Sequence, residues 1–268
     1  MITPDYFTKV INLYLPEPHA SLLNGILFGV SLNTSKEFFN QLKIVGLLHI
    51  VVLSGINITL LASIIASFTS FLSKKVSSLI TIICIVLFVF FVGPEPPIVR
   101  AAIMGSLAIF AIIFGRQKSA LYLLFLSGIL VLIFKFEWIK SISFQLSYGA
   151  TLGIILFGNA KIKGKNISHK IKYDIFKELK PSLAAQIFTA PLIFYYFKQI
   201  SLISPLSNLL VSPTISLLMI FGFLTAILGK INYYLGLIPS VICYGILSYI
   251  IFIIDFLSKL PLVFLDFN

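Results

Sequence analysis

Charge is what this sequence has least of. Only 11% of its 268 residues are Asp, Glu, Lys or Arg, against roughly 25% in a soluble domain, while 59% are hydrophobic and the mean hydropathy is +1.06. A soluble globular fold is thereby excluded in favour of a polytopic membrane protein. The alternation in ten-residue blocks that marks barrel strands is missing, whereas the apolar runs are long enough for helices, so an all-α class is expected. Acidic residues are scarcer still, 9 against 20 basic ones. In a membrane protein such an excess marks cytoplasmic loops near anionic lipid and does not by itself indicate nucleic acid. The two cysteines, Cys84 and Cys243, stand far apart in apolar runs without metal-ligand spacing and read as small buried hydrophobes. No basic start leads into one apolar block and a small-residue cleavage site, so no cleavable signal is expected. The run 158–166 resembles a phosphate loop, but five residues separate Gly158 from Gly164 and Asn166 stands where Ser or Thr must bind magnesium. No nucleotide motor, metal, cofactor or catalytic centre is therefore expected.

Along the chain, residues 4–29 are broken by Pro16, Glu17, Pro18 and His19 and are expected to form an interfacial or re-entrant helix. Residues 30–43 read as a polar connection, giving an N-terminal segment 1–43 and a polytopic channel domain 44–268. Eight transmembrane segments are expected, roughly 44–68, 76–92, 97–114, 120–134, 141–158, 182–197, 200–228 and 235–257. With the N-terminus outside, the inside loops hold 12 of the 20 basic residues, the outside segments 7, and Arg100 lies within a span. The distribution predicts N-out and C-out, with 159–181 as the main cytoplasmic loop.

Polar groups inside the spans need partners that lipid cannot supply. In the stretch 46–60, GLLHIVVLSGINITL, four residues stand out: His49, Ser54, Gly55 and Asn57. On an ideal helix His49 and Asn57 lie about 80° apart and share a face, Ser54 lies about 140° from His49, and a bend at Gly55 would bring the serine round. Pro94, Pro96 and Pro97 separate the second span from the third, and Arg100 follows one turn further in. It either snorkels to the interface or faces a wet cavity. The span SISFQLSYGATLGIILF carries Gln145, Ser147 and Tyr148, with Gly149 and Gly153 spaced for a close helix contact. Gln145 is expected to meet Gln186 or Thr189. In the segment 200–228, Pro205 and Pro213 predict a discontinuous helix around Asn208, the best sequence pointer to a pore. Asp255 reads as an interfacial anchor.

Five blocks of this sequence resemble the competence domain of the ComEC family, the membrane channel proteins of bacterial DNA uptake. They are LPEPHASLLNGILFG, GLLHIVVLSGINITL, PPIVRAAIM, FQLSYGATLG and TAPLIFYYFKQISLISPLSNLLVSPTISL, in family order. The resemblance implies that His49, Ser54 and Gly55 match the H…SG core, Arg100 the RA motif, Phe144, Gln145 and Ser147 the FQLS motif, and Asn208 the late asparagine. Asn57 replaces a histidine often found after SG, and Pro97 a small residue. The OB-like and metallo-β-lactamase-like domains that full-length members carry are not expected here.

The implied function is a bacterial cytoplasmic-membrane channel passing single-stranded DNA. Arg100 would attract phosphate, Asn57, Gln145 and Asn208 would line a wet path, and Tyr148 or Phe144 would stack bases. Expected partners are single-stranded DNA, membrane lipid and a separate DNA receptor, nuclease and helicase-like ATPase, with a homodimer left open. Two alternatives stand beside it: a transporter of another, anionic solute, and an intramembrane enzyme using His49 as base and Ser54 as nucleophile, for which no acid partner or oxyanion donor is visible.

Overall fold

The computed structural model describes residues 4–51, 55–114, 119–158, 167–260 and 264–266. Twelve α-helices fall within them, with one two-stranded ribbon in which Gln199–Ser201 (β1) pairs antiparallel with Phe264–Asp266 (β2). The all-α class is as expected.

Helix starts follow serine and proline. Ser35, Ser73, Ser119 and Ser141 each precede a helix and accept the N–H three residues on, satisfying one of the orphan donors of the first turn. They open α3 (Lys36–Ile44), α6 (Lys74–Val92), α8 (Ala120–Phe134) and α9 (Ile142–Phe157). Pro96 and Pro97 occupy the first turn of α7 (Pro96–Ile113), where a missing N–H costs nothing.

The expected interruption of residues 4–29 resolves into two helices. One is α1 (Pro4–Tyr14), with Ile11 turned in and Tyr6 and Leu13 exposed; the other is α2 (His19–Phe28), in which every residue from Ala20 onwards is buried. A helix apolar on all sides has no face to offer water, and α2 lies inside the larger core with α3, α11 (Ser204–Ile231) and α12 (Tyr233–Ser258). A second core joins α5 (Gly55–Phe68), α6 and α7 around Ile58, Ile85 and Ile98.

Two expectations need correction. The span predicted over 44–68 is not one helix: α3 ends at Ile44, a turn at Gly46 follows, and a single-turn α4 (Leu48–Val51) precedes α5. The segment 200–228, expected to be discontinuous, is continuous helix from Ser204 to Ile231. Pro205 sits in its first turn and Pro213 inside it. A first-turn proline removes no helical bond, and a single interior one is tolerated where neighbours pack, as they do around Val211 and Ile215.

Among the described residues four helices are long and apolar enough to cross a membrane: α6, α7, α11 and α12. Shorter apolar helices include α2, α8 and α9. Residues 182–197 form the second half of the 31-residue α10 (Ile167–Phe197). Leu79, Ile83, Leu87 and Phe90 on α6 and Phe125 and Ile133 on α8 are exposed, as lipid-facing residues must be.

Candidate functional site

The position of Arg100 is set by the prolines that start α7, which leave it in the second turn. Its side chain leaves α7 between two neighbours. Nη1 donates to the backbone carbonyl of Ser147 on α9 at 2.7 Å, and Nη2 lies against Gly55 on α5. A Cβ at Gly55 would stand 2.6 Å from Nη2 and 3.2 Å from Ala101 Cβ, so glycine alone leaves the guanidinium its place. Nε is buried without a hydrogen-bond partner, and among the described residues no carboxylate pairs with this cation. A cation drawn out of water with part of its donor set unmet is costly, and the positive end of the α7 dipole adds to the cost. An anion would relieve both.

On α9, Tyr148 lies next to this site. Its hydroxyl is 3.2 Å from Ser127 Oγ on α8, and its ring lies 4.3 Å, centroid to centroid, from the buried ring of Phe144. These two rings pack on each other at a tilt, so each has one face turned to the other. Ser147 contributes its carbonyl to Arg100. Gln145 meets neither Gln186 nor Thr189: Nε2 donates to Ile139 O at 3.0 Å, and Oε1 accepts from Tyr196 Oη at 2.9 Å. The reason is register. Gly149 faces Leu192 and Phe188, and Gly153 faces Phe188 and the carbonyl of Ala184, so antiparallel α9 and α10 place residue 145 opposite 196. The glycine pair thus gives the close approach its spacing predicted.

The other polar residues form a second seam. Asn57 is fully buried and donates to Ile26 O on α2 at 2.7 Å, while His49 is exposed on α4 with Nδ1 2.9 Å from Gly46 O of its own turn. The pairing expected of His49 and Asn57 is not seen: Asn57 is buried against α2, whereas His49 is exposed and bonds the carbonyl just before its own helix. Ser54, with the serine-nucleophile reading, lies outside the described residues. Asn208 in the first turns of α11 donates to Ser182 Oγ at 3.1 Å and approaches Ser204 Oγ at 3.4 Å, while its Oδ1 is buried and unpartnered. Ser201 and Ser207 donate to Ile44 O and Val45 O, both at 2.7 Å, clasping the Gly46 turn. Asp255 anchors locally, accepting from Lys259 at 2.6 Å and Gln41 at 3.1 Å.

Sequence reasoning missed Ser127, Tyr196 and the clasping role of Ser201 and Ser207. Counting the α9–α10 register from its glycines would have found Tyr196; the serines carried no such signal.

Fold and site together define an all-α membrane protein with a half-buried cation at one end of its bundle. The family model described as Competence protein matches residues 26–268, and the chain belongs to that family. It is 23% identical over 220 residues to ComE operon protein 3 of Bacillus subtilis (strain 168), covering 81% of this chain and 27% of that protein. An uncharacterized protein of Aquifex aeolicus (strain VF5) is 32% identical over 205 residues, covering 75% of this chain and 46% of its own length. The chain thus spans about a quarter of the first relative and under half of the second. No solved structure matches it.

Proposed function

We propose that this chain is a multi-pass channel of the bacterial cytoplasmic membrane that admits single-stranded DNA during natural transformation, and that it is not an enzyme. Membership of the competence family supports a role in DNA uptake. The observation that carries the channel reading is Arg100, a cation inside the bundle without a carboxylate partner among the described residues, suited to a passing phosphate. Eight segments follow from the apolar runs, and both termini outside from the basic-residue distribution. A separate DNA receptor, nuclease and helicase-like ATPase complete the pathway.

The test is transformation with labelled DNA in cells lacking this gene, comparing DNA held outside with DNA that enters. Binding without entry is the expected result. Unchanged entry overturns the reading.

A second reading, transport of a smaller anion, is favoured by one observation: the Phe144 and Tyr148 rings beside Arg100 pack on each other rather than standing apart as separate base platforms. Anion uptake by liposomes holding the protein, with no DNA entry through it, would select this reading.

A further inference from the structure

The end of the bundle at which Arg100 sits carries a second set of groups that the channel reading leaves unused. After α8 the chain makes a 3-10 turn, Phe136–Lys140, and after α10 it passes through Lys198 into β1. Because α9 and α10 run antiparallel, these two connections lie at the same end. They are also joined: Tyr196 Oη donates to Gln145 Oε1, and Gln145 Nε2 donates to Ile139 O in the turn.

Each connection pairs lysine with aromatic rings. Lys135 Nζ lies 5.1 Å from the ring centre of Trp138. Lys198 Nζ lies 5.3 Å from that of Phe194 and 6.0 Å from that of Tyr195, which is 71% exposed. Lys198 adopts a left-handed backbone with φ 55°, unusual for a residue with a side chain, so the chain reverses at the lysine itself. Lys140 closes the 3-10 turn, and Glu137 is the one acidic group in it, leaving three lysines to one carboxylate across the pair of connections. An ammonium does not sit in hydrocarbon, so these rings lie at the level of water and headgroups.

We propose that this rim is a sequence-tolerant binding site for single-stranded nucleic acid, in which Tyr195 and Trp138 stack bases and Lys198, Lys135 and Lys140 hold the phosphates. The inference rests on the channel reading and gives it an entry point. Tyr195 is exposed and Trp138 half-buried, and accessible rings interleaved with cations are what unspecific single-strand binding requires, since every base has a face and every nucleotide a charge. Aromatics and lysines also occur as headgroup belts in membrane proteins. A belt needs no link between its members, whereas here the two connections are bridged through Gln145. That residue is two positions before Ser147, whose carbonyl accepts from Arg100, so the rim and the half-buried cation lie at the same end of α9.

The test uses the full chain in phosphatidylcholine nanodiscs titrated with fluorescent oligo(dT). Wild-type protein should bind, with affinity falling steeply from 50 to 200 mM salt. Tyr195→Leu combined with Lys198→Gln should weaken binding by about tenfold or more. Lys74→Gln with Lys75→Gln, beyond the other end of the bundle, should leave it unchanged. Tyr195→Phe keeps the stacking face and should bind as wild type, which keeps the test readable if the leucine variant fails to insert. Absence of wild-type binding overturns the rim, as does a double variant that binds normally and loses only bilayer incorporation, the signature of a headgroup belt. In cells the two readings separate: normal DNA entry with the rim variant sinks the rim alone, and normal entry without the gene sinks the channel.

Discussion

Two polar seams cross this bundle and differ in one respect. Around the Gly46 turn, Asn57, Ser201 and Ser207 each donate to a backbone carbonyl of another segment: Ile26, Ile44 and Val45. Around α7, Arg100 reaches one carbonyl and leaves Nε buried and unmet. The first pattern is what holds helices together in lipid, where a hydroxyl or amide supplies a neighbour's missing donor. The second spends stability on a cation that packing does not need. The same residue class, polar within a span, thus serves cohesion in one place and, under the channel reading, is held ready for a ligand in the other. Asn208 belongs partly to each, with its amide group donating and its Oδ1 unpartnered.

That difference can be broken most severely at Arg100. Arg100→Ala should reduce DNA entry at least tenfold, to the level of the deletion, while membrane insertion stays normal; undiminished entry of labelled DNA would remove the residue from the path. Next in size is Gly55→Ala. The new Cβ would displace Nη2 from 2.6 Å, so entry should fall severalfold with thermal stability almost unchanged. Gly153→Leu attacks cohesion instead. Its side chain would meet the Ala184 backbone, which cannot swing aside, so α9 and α10 should separate and the melting temperature in detergent should fall by several degrees. Ser207→Ala removes one interhelical bond worth about 0.6 kcal/mol in comparable membrane proteins, a loss of a degree or two with normal DNA entry. If Ser207→Ala abolished entry without loss of stability, the two seams could not be told apart on these grounds.

Part of the fold was legible because it rests on local chemistry. Pro96 and Pro97 announced the start of α7, whereas the serines that cap four other helices were not read from the sequence. The spacing of Gly149 and Gly153 announced the α9–α10 contact. What misled was reading polar and proline residues without their neighbours. Pro213 was read as a break, yet the packing around Val211 and Ile215 keeps α11 continuous. A continuous helix over 44–68 looked natural from hydropathy, and nothing local showed that Ser201 and Ser207 would clasp a turn at Gly46 from more than 150 residues away. Within the site, Arg100 and Gly55 were both singled out by sequence, but their mutual contact depends on how α5 and α7 pack. The partner of Gln145 was misplaced because register, not polarity, decides which residue stands opposite.

Arg100 lies near one end of a helix long enough to span the bilayer, and that position bears on the work of transport. Under the channel reading, each phosphate carried into a cell with an inside-negative potential costs about 2.3 kcal/mol per 100 mV. A fixed cation deepens the well in which the strand rests, but the attraction gained on arrival is returned on departure. It therefore sets how long the path is occupied and leaves the direction of travel undetermined. Net inward movement of a polyanion requires a pull applied beyond the bundle, and too strong a well at Arg100 would slow that pull. Arg100→Lys, which keeps the charge and loses the fork, would lengthen or shorten dwell without changing which way the strand moves.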